Sequence, residues 1–230
     1  MAREFSRRAV DSARRNDLNE VAAIWRMNAA VREVEIGNAS LAREAVEEGL
    51  RLADTRDSQV LAALVLARAG DTARAETLAD NLGKRFPGST ELNNYWLPSI
   101  RAAIQLGRGK PADAIKTLDP AIPFELAYSR PQFEGGSPIY PAYLRGQAYL
   151  LLYQGREAAG EFEKFIDQRA VVVNCPLGAL AHLWLGRAQA LEGNVTAAHK
   201  SYEEFLTFWK DADPDVPILR QAKSEFAKLK

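Results

Sequence analysis

Cys175 with His182 or His199 is the one nucleophile–base combination that this sequence of 230 residues offers, since it holds one cysteine and two histidines. A catalytic thiol needs a lowered pKa, an imidazole within reach and a group that orients the imidazole. Cys175 stands directly before Pro176, and His182 falls in an apolar helical pattern where packing accounts for it. An enzyme using Cys175 and His182 is therefore kept only as an alternative to a non-catalytic chain. Asp211, Asp213 and Asp215 alternate like the first half of an EF-hand loop. That loop needs Gly at its sixth position and Glu at its twelfth, where Val216 and Ala222 stand. The triplet is expected to cap a following helix instead. A lone cysteine excludes an internal disulfide and a CxxC metal motif, so no metal or cofactor is expected. Arg3, Arg7, Arg8, Arg14 and Arg15 make the N-terminal segment basic, relieved by Glu4 and Asp11. They read as a solvated outer face, or as a surface that would meet an upstream domain, rather than as a nucleic-acid contact.

The global balance supports that reading. Thirty Lys and Arg face thirty Asp and Glu, for a formal net charge of zero. Up to Leu118 there are 18 basic and 16 acidic residues, so neither half is a charged tail. A phosphate-driven nucleic-acid binder would carry an excess of cations. Apolar runs such as Leu150–Tyr153 and Val171–Val173 are far shorter than the eighteen or so residues of a membrane span, so no insertion is expected in this segment. A lone cysteine leaves the compartment open. Alanine, at roughly one residue in six, points to closely packed helices.

Five glycines share a context: Gly37-Asn38, Gly70-Asp71, Gly109-Lys110, Gly155-Arg156 and Gly193-Asn194. Seven residues before them stand Ala30, Ala63, Ala102, Ala148 and Gly186. Five residues after them stand Ala42, Ala75, Ala114, Gly160 and Ala198. This pattern predicts helical hairpins. The glycine ends the first helix in a left-handed conformation, Asn or Asp caps the second, and the small residues let the two approach. Val46 and Leu50, Leu78 and Leu82, Ile115 and Leu118, Phe162 and Ile166, and Tyr202 and Leu206 supply the large apolar face. One hairpin cannot bury that face alone, so stacking is expected.

The glycine steps are 33, 39, 46 and 38 residues, near the 34-residue period of tetratricopeptide repeats. The segment 179–206 matches best, with Leu185-Gly186, Gly193-Asn194, Ala198, Tyr202 and Phe205 in the family's places, and Phe86-Pro87 closes the second repeat. On these residues the chain resembles the tetratricopeptide repeat (TPR) family. It departs where the family has an aromatic early in each first helix; Arg26, Gln59, Pro98, Leu144 and His182 stand there. Stretches such as Phe5-Ser6-Arg7-Arg8-Ala9-Val10, Tyr95-Trp96-Leu97-Pro98, Pro141-Ala142-Tyr143-Leu144-Arg145-Gly146 and 208–215 resemble the C-terminal TPR region of acidobacterial eukaryotic-like serine/threonine kinases. Similar regions follow winged-helix domains in some bacterial regulators. The chain has no Gly-rich nucleotide loop, His-Arg-Asp or Asp-Phe-Gly, so kinase activity does not come with the resemblance.

The resemblance implies an all-α fold, an α-solenoid of about five TPR-like hairpins with a C-terminal capping helix. Its expected parts are an orphan helix over 2–16, repeats one to three over 17–118, a Pro- and aromatic-rich insert over 119–141, repeats four and five over 142–210, and a cap over 211–230. The insert holds Pro120, Pro123, Pro131, Pro138 and Pro141 with Phe124, Tyr128, Phe133 and Tyr140. It is expected to pack on the edge of the array or to shape a groove. In the family, positions three before and one after the small residue line the concave face. Here these are Met27, Val60, Ser99, Arg145 and Leu183, then Val31, Leu64, Ala103, Tyr149 and Arg187. Arg145 and Arg187 could hold a carboxylate, with Tyr149, Trp96 and Trp184 as aromatic contacts and Asn28 as an amide. The implied function is a non-catalytic protein-interaction or scaffold module that binds a protein or peptide or another copy of itself. The alternative is a regulatory or dimerising segment attached to a kinase or winged-helix regulator.

Overall fold

The computed structural model describes residues 2–126, 139–172 and 175–229. Most of the 119–141 insert, including Tyr128, Pro131, Phe133 and Pro138, lies outside the described residues. The protein is all-helical, with no strand among the described residues. Helix α1 spans Ala2–Arg15, α2 Asn19–Glu35, α3 Ala39–Leu52, α4 Arg56–Arg68 and α5 Thr72–Arg85. A π-helical turn, Leu92–Trp96, runs into α6 (Leu97–Gly107), where Pro98 has no N–H to donate to the preceding turn. Helix α7 (Pro111–Thr117) is followed by a 3₁₀ turn, Asp119–Phe124. The remainder is α8 (Tyr140–Leu151), α9 (Gly155–Asp167), α10 (Arg169–Val172), α11 (Pro176–Leu191), α12 (Val195–Phe208) and α13 (Pro217–Phe226).

The hairpins are α2 with α3, α4 with α5, α6 with α7, α8 with α9 and α11 with α12. Their turns have one geometry. Gly37, Gly70, Gly109 and Gly193 adopt φ of 92°, 86°, 69° and 75°. The next residue's N–H reaches back five positions: Asn38 to Glu33 O at 2.8 Å, and Asp71 to Leu66 O, Lys110 to Gln105 O and Asn194 to Gln189 O at 2.9 Å. This satisfies the carbonyls that a helix end leaves free. Capping follows in part as expected. The side chains of Asp71 and Asn194 accept from Arg74 and Ala197 N–H, whereas Asn38 turns its amide to Glu33.

The fourth hairpin corrects the expected register. Its left-handed residue is Tyr153 (φ 59°), not Gly155, and Gln154 N–H donates to Tyr149 O at 2.9 Å as in the other turns. The tyrosine side chain is 81% exposed, so it escapes crowding, although the backbone is strained for a residue with a Cβ. Gly155 instead opens α9, where a Cβ would lie 2.8 Å from Ala188 O of α11. Counting from Tyr153, the small residues of this hairpin are Gly146 and Ala158, in place of Ala148 and Gly160. The turn-to-turn steps become 33, 39, 44 and 40 residues. With that shift, all ten small positions are buried.

Residue size compensates across each hairpin. Four residues after the second small residue stand Val46, Ala79, Leu118, Phe162 and Tyr202, all buried. Opposite the two rings the first helix carries glycine rather than alanine: a Cβ on Gly146 would meet Phe162 Cζ at 2.6 Å, and one on Gly186 would meet Tyr202 Cδ2 at 2.8 Å. Phe162 cannot easily yield, being fully buried between Tyr143 and Trp184, with centroids 6.2 and 6.1 Å away. Gly146→Ala should therefore destabilise by about 1–3 kcal/mol despite alanine's better helix propensity. Gly160 is exposed and a Cβ there meets nothing within 4 Å, so Gly160→Ala should stabilise by about 0.5–1 kcal/mol. Urea unfolding of the two variants checks the register, since a register counted from Gly155 would reverse their order.

The first helices α2, α4, α6, α8 and α11 also pack on one another in sequence. In α4 every residue from Ser58 to Ala67 is buried, and in α8 every residue from Tyr140 to Ala148, so both are enclosed all round. The chain also closes on itself. Tyr140 of α8 reaches Glu35 of α2 across 105 residues of sequence. At the far end, Ile218 N–H donates to Ile36 O at 3.2 Å, and Pro217 packs on Gly37. The last helix thus contacts the first hairpin as well as α12. Its N-cap is Val216 with no side-chain hydrogen bond, so the expected capping by Asp211, Asp213 and Asp215 does not occur. Asp213 and Asp215 lie near Arg3, whose pKa they help to raise after Glu33.

Candidate functional site

The six residues expected to line a groove lie on four elements: Asn28 on α2, Trp96 at the entry to α6, Arg145 and Tyr149 on α8, and Trp184 and Arg187 on α11. Arg145 is 3% exposed. Its Nε and Nη2 donate to both oxygens of Glu161 on α9 at 3.0 and 2.8 Å, and Nη2 lies 2.6 Å from Glu125 just after the 3₁₀ turn. Lys164 Nζ joins the same two carboxylates at 2.8 and 3.4 Å. Two cations thus meet two anions. Burial would lower the Arg145 pKa, but Glu161 and Glu125 outweigh it and hold it up.

Arg187 is also engaged. Its Nε and Nη2 donate to Glu225 of α13 at 2.9 and 3.0 Å, and its guanidinium lies 4.3 Å from the Trp184 ring centroid. Tyr202 donates to the same carboxylate at 2.9 Å. Trp184 Nε1 donates to Tyr143 Oη at 2.8 Å, tying α11 to α8. Asn28 and Trp96 are buried, with Trp96 Nε1 3.3 Å from Glu91, while Tyr149 is half-buried against the core. The structure therefore brings Trp184 and Arg187 together and gives each arginine fork a carboxylate of its own chain. Counting from Gly146 in the fourth hairpin, the positions equivalent to the other groove residues are Tyr143 and Gln147, which are buried.

Sequence reasoning missed a second network. Glu35, two residues before Gly37, and Arg68, two before Gly70, occupy the same place on successive first helices. Arg68 Nε and Nη2 donate to Glu35 Oε1 and Oε2 at 2.9 and 3.0 Å, and Tyr140 donates to Oε1 at 2.6 Å. The opposite charges at one register position were the available signal.

Cys175 and His182 are both on the α11 segment, Cys175 as its N-cap. Two turns of helix separate them by about 10 Å along the axis, beyond hydrogen-bond reach. His182 Nδ1 lies 2.8 Å from Glu204, and its ring packs on Phe208 with centroids 5.3 Å apart. Burial, opposed by Glu204, lowers its pKa.

Comparison with known proteins decides little here. The chain matches no family model, no curated protein and no solved structure.

The buried tyrosines make the fold sensitive to alkali. Burial, with the Glu35 charge adding to it, pushes the Tyr140 and Tyr143 hydroxyls well above the ordinary tyrosine value, and burial does the same at Tyr95. In the unfolded chain these hydroxyls lose their protons near pH 10, while the folded chain retains them. The stabilisation is therefore complete below about pH 10 and is lost as pH rises further, by roughly 1.4 kcal/mol per pH unit for each tyrosine. Urea midpoints measured from pH 9 to 11 should fall with a slope that Tyr143→Phe makes shallower.

Proposed function

We propose that this chain is a TPR-like α-solenoid that serves as a non-catalytic protein-interaction or scaffold module. It belongs, on this reading, to the C-terminal part of a bacterial signalling protein such as a serine/threonine kinase. The supporting observation is the repeated turn: five hairpins with one left-handed residue and buried small residues at minus seven and plus five, whose first helices pack in sequence. Such hairpins depend on their neighbours for burial and present extended surface rather than a catalytic cavity. The buried charged groups, Arg68 with Glu35 and Arg145 with Glu161 and Glu125, join helices within the chain.

The expected ligand is a protein or peptide. Of the six groove residues, Tyr149, Trp184 and Arg187 keep the most accessible surface, so contact with a partner falls to them. An affinity capture followed by titration of the purified partner tests this. Tyr149→Ala and Arg187→Gln should each weaken a saturable one-to-one complex, by about tenfold, at little cost in melting temperature. Unchanged affinity in both variants would remove this face as the interface.

A further inference from the structure

Helices α1 and α3 both pack on α2 and leave between them an open cleft of about 720 Å³. This is within the range of small-molecule sites. Six arginines line it: Arg3, Arg7 and Arg14 from α1, Arg26 and Arg32 from α2, and Arg51 from α3. In a protein of zero net charge, that concentration on three walls of one cleft calls for an explanation.

Internal pairing uses up half of the arginines. Arg3 donates twice to Glu33 at 2.9 Å, Arg7 pairs with Glu4, and Arg26 with Glu48. Arg32, on the floor and about one-fifth exposed, has five donors; Nη1 donates to Ser6 Oγ at 3.0 Å, and Nη2 makes a long ion pair with Glu33. Glu33 is 3.7 Å from it and is already bonded to Arg3 and Asn38. Burial holds the Arg32 pKa below the usual arginine range against the pull of Glu33, and repulsion from Arg3 and Arg26 adds to the effect. Arg14 and Arg51 stand on opposite rims without an ion pair among the described residues, and Asp11 is the remaining acid of the lining.

We infer that this cleft binds a small organic polyanion, a molecule with two or more carboxylate or phosphate groups, held by Arg32 at the floor and by Arg14 and Arg51 at the rims. Arg14 and Arg51, with no ion pair among the described residues, and Arg32, with donors left over, stand on three helices and suit more than one anionic group. Val10, Ala29, Leu41 and Leu52 share the lining and give an organic skeleton something to pack on, which a bare ion would leave unused. Glu4, Asp11 and Glu48 in the same cleft disfavour a continuous phosphate backbone. The site has a mechanical consequence. Helix α1 has one buried residue, Ala13, so a ligand bridging α1 to α3 would clamp a weakly held helix. None of this depends on the interaction reading.

Calorimetric titration of the full chain with citrate, pyrophosphate and inorganic phosphate tests the inference, and the first two probes distinguish carboxylate from phosphate sources. Citrate or pyrophosphate should bind one-to-one, more tightly than phosphate, raise the melting temperature and slow amide exchange in α1. Arg32→Gln should weaken that binding by about tenfold. The exposed double variant Arg14→Glu/Arg51→Glu should do the same with an unchanged melting temperature in the absence of ligand. Arg220→Glu, a reversal of an exposed charge on α13 outside the cleft, should have no effect. The inference is overturned if neither polyanion binds at about 1 mM. It is also overturned if Arg220→Glu weakens binding as much as the cleft variants, or if a duplex oligonucleotide occupies the same arginines in preference to both probes.

Discussion

Replacing Glu35 with alanine should lower the stability of the fold by about 3–5 kcal/mol and its melting temperature by roughly 10 °C. The Glu35 side chain is 1% exposed and accepts from Arg68 twice and from Tyr140 once. Its removal strands a mostly buried guanidinium and a fully buried hydroxyl at the same time. Burial alone would lower the Arg68 pKa; the Glu35 charge reverses that, so the arginine is held in its charged form by the residue being deleted. The loss should be much larger than that of Tyr140→Phe, which removes one hydroxyl and leaves the ion pair intact. A triple change to Glu35→Leu, Arg68→Met and Tyr140→Phe should recover most of the stability, because it removes every stranded polar group together. Urea unfolding of the single and triple variants checks this. If Glu35→Ala proves neutral, the contact between α2 and α8 does not hold the chain closed.

Arg145→Ala should cost about 3 kcal/mol or more, whereas Arg187→Ala should cost about 1 kcal/mol. The two arginines look equivalent in the sequence, each one turn or less from a small residue of a first helix. They differ in what their removal exposes. Arg145 is enclosed, and its loss leaves Glu125 and Glu161 facing each other with Lys164 as the one other cation paired with them among the described residues. Glu225 is 30% exposed, so water can replace the Arg187 guanidinium. Arg145→Lys should fall between, retaining the charge but not the fork that spans both Glu161 oxygens. These values come from equilibrium unfolding of each variant. They also govern how binding data are read: a partner lost by Arg145→Ala reports a damaged fold, while one lost by Arg187→Gln at constant stability reports contact.

Helix positions and turns were legible because their signals are short-ranged. A glycine with a polar residue after it and small residues at fixed offsets act within about two turns of chain. The fourth hairpin shows the limit of that legibility. Gly155 carries the glycine signal, yet the left-handed place two residues earlier is taken by Tyr153, whose side chain is free in solvent. Gly155 is glycine because α9 must approach Ala188 of α11, a tertiary reason that mimics a local one. The same two-residue error moved the groove positions of that hairpin onto Arg145 and Tyr149.

The basic N-terminal segment divides in the same way. Its arginines are plain in the sequence, and they read there as a solvated face. Only the packing of α1 and α3 on α2 shows that Arg3, Arg7 and Arg14 share a cleft with Arg26, Arg32 and Arg51, and which of the six already have a carboxylate.

By itself, then, the sequence determined an all-helical chain, its hairpins and most of their turns, because helix caps, periodicity and small-residue spacing are decided by neighbours a few residues apart. The tertiary structure alone decided that the chain closes, with Tyr140 on Glu35 and Ile218 on Ile36, and that the arginine forks at Arg145 and Arg187 are filled from within. Those outcomes join groups on different helices, and which groups meet is set by how side-chain volumes pack at the interfaces between those helices, which no short stretch of residues encodes.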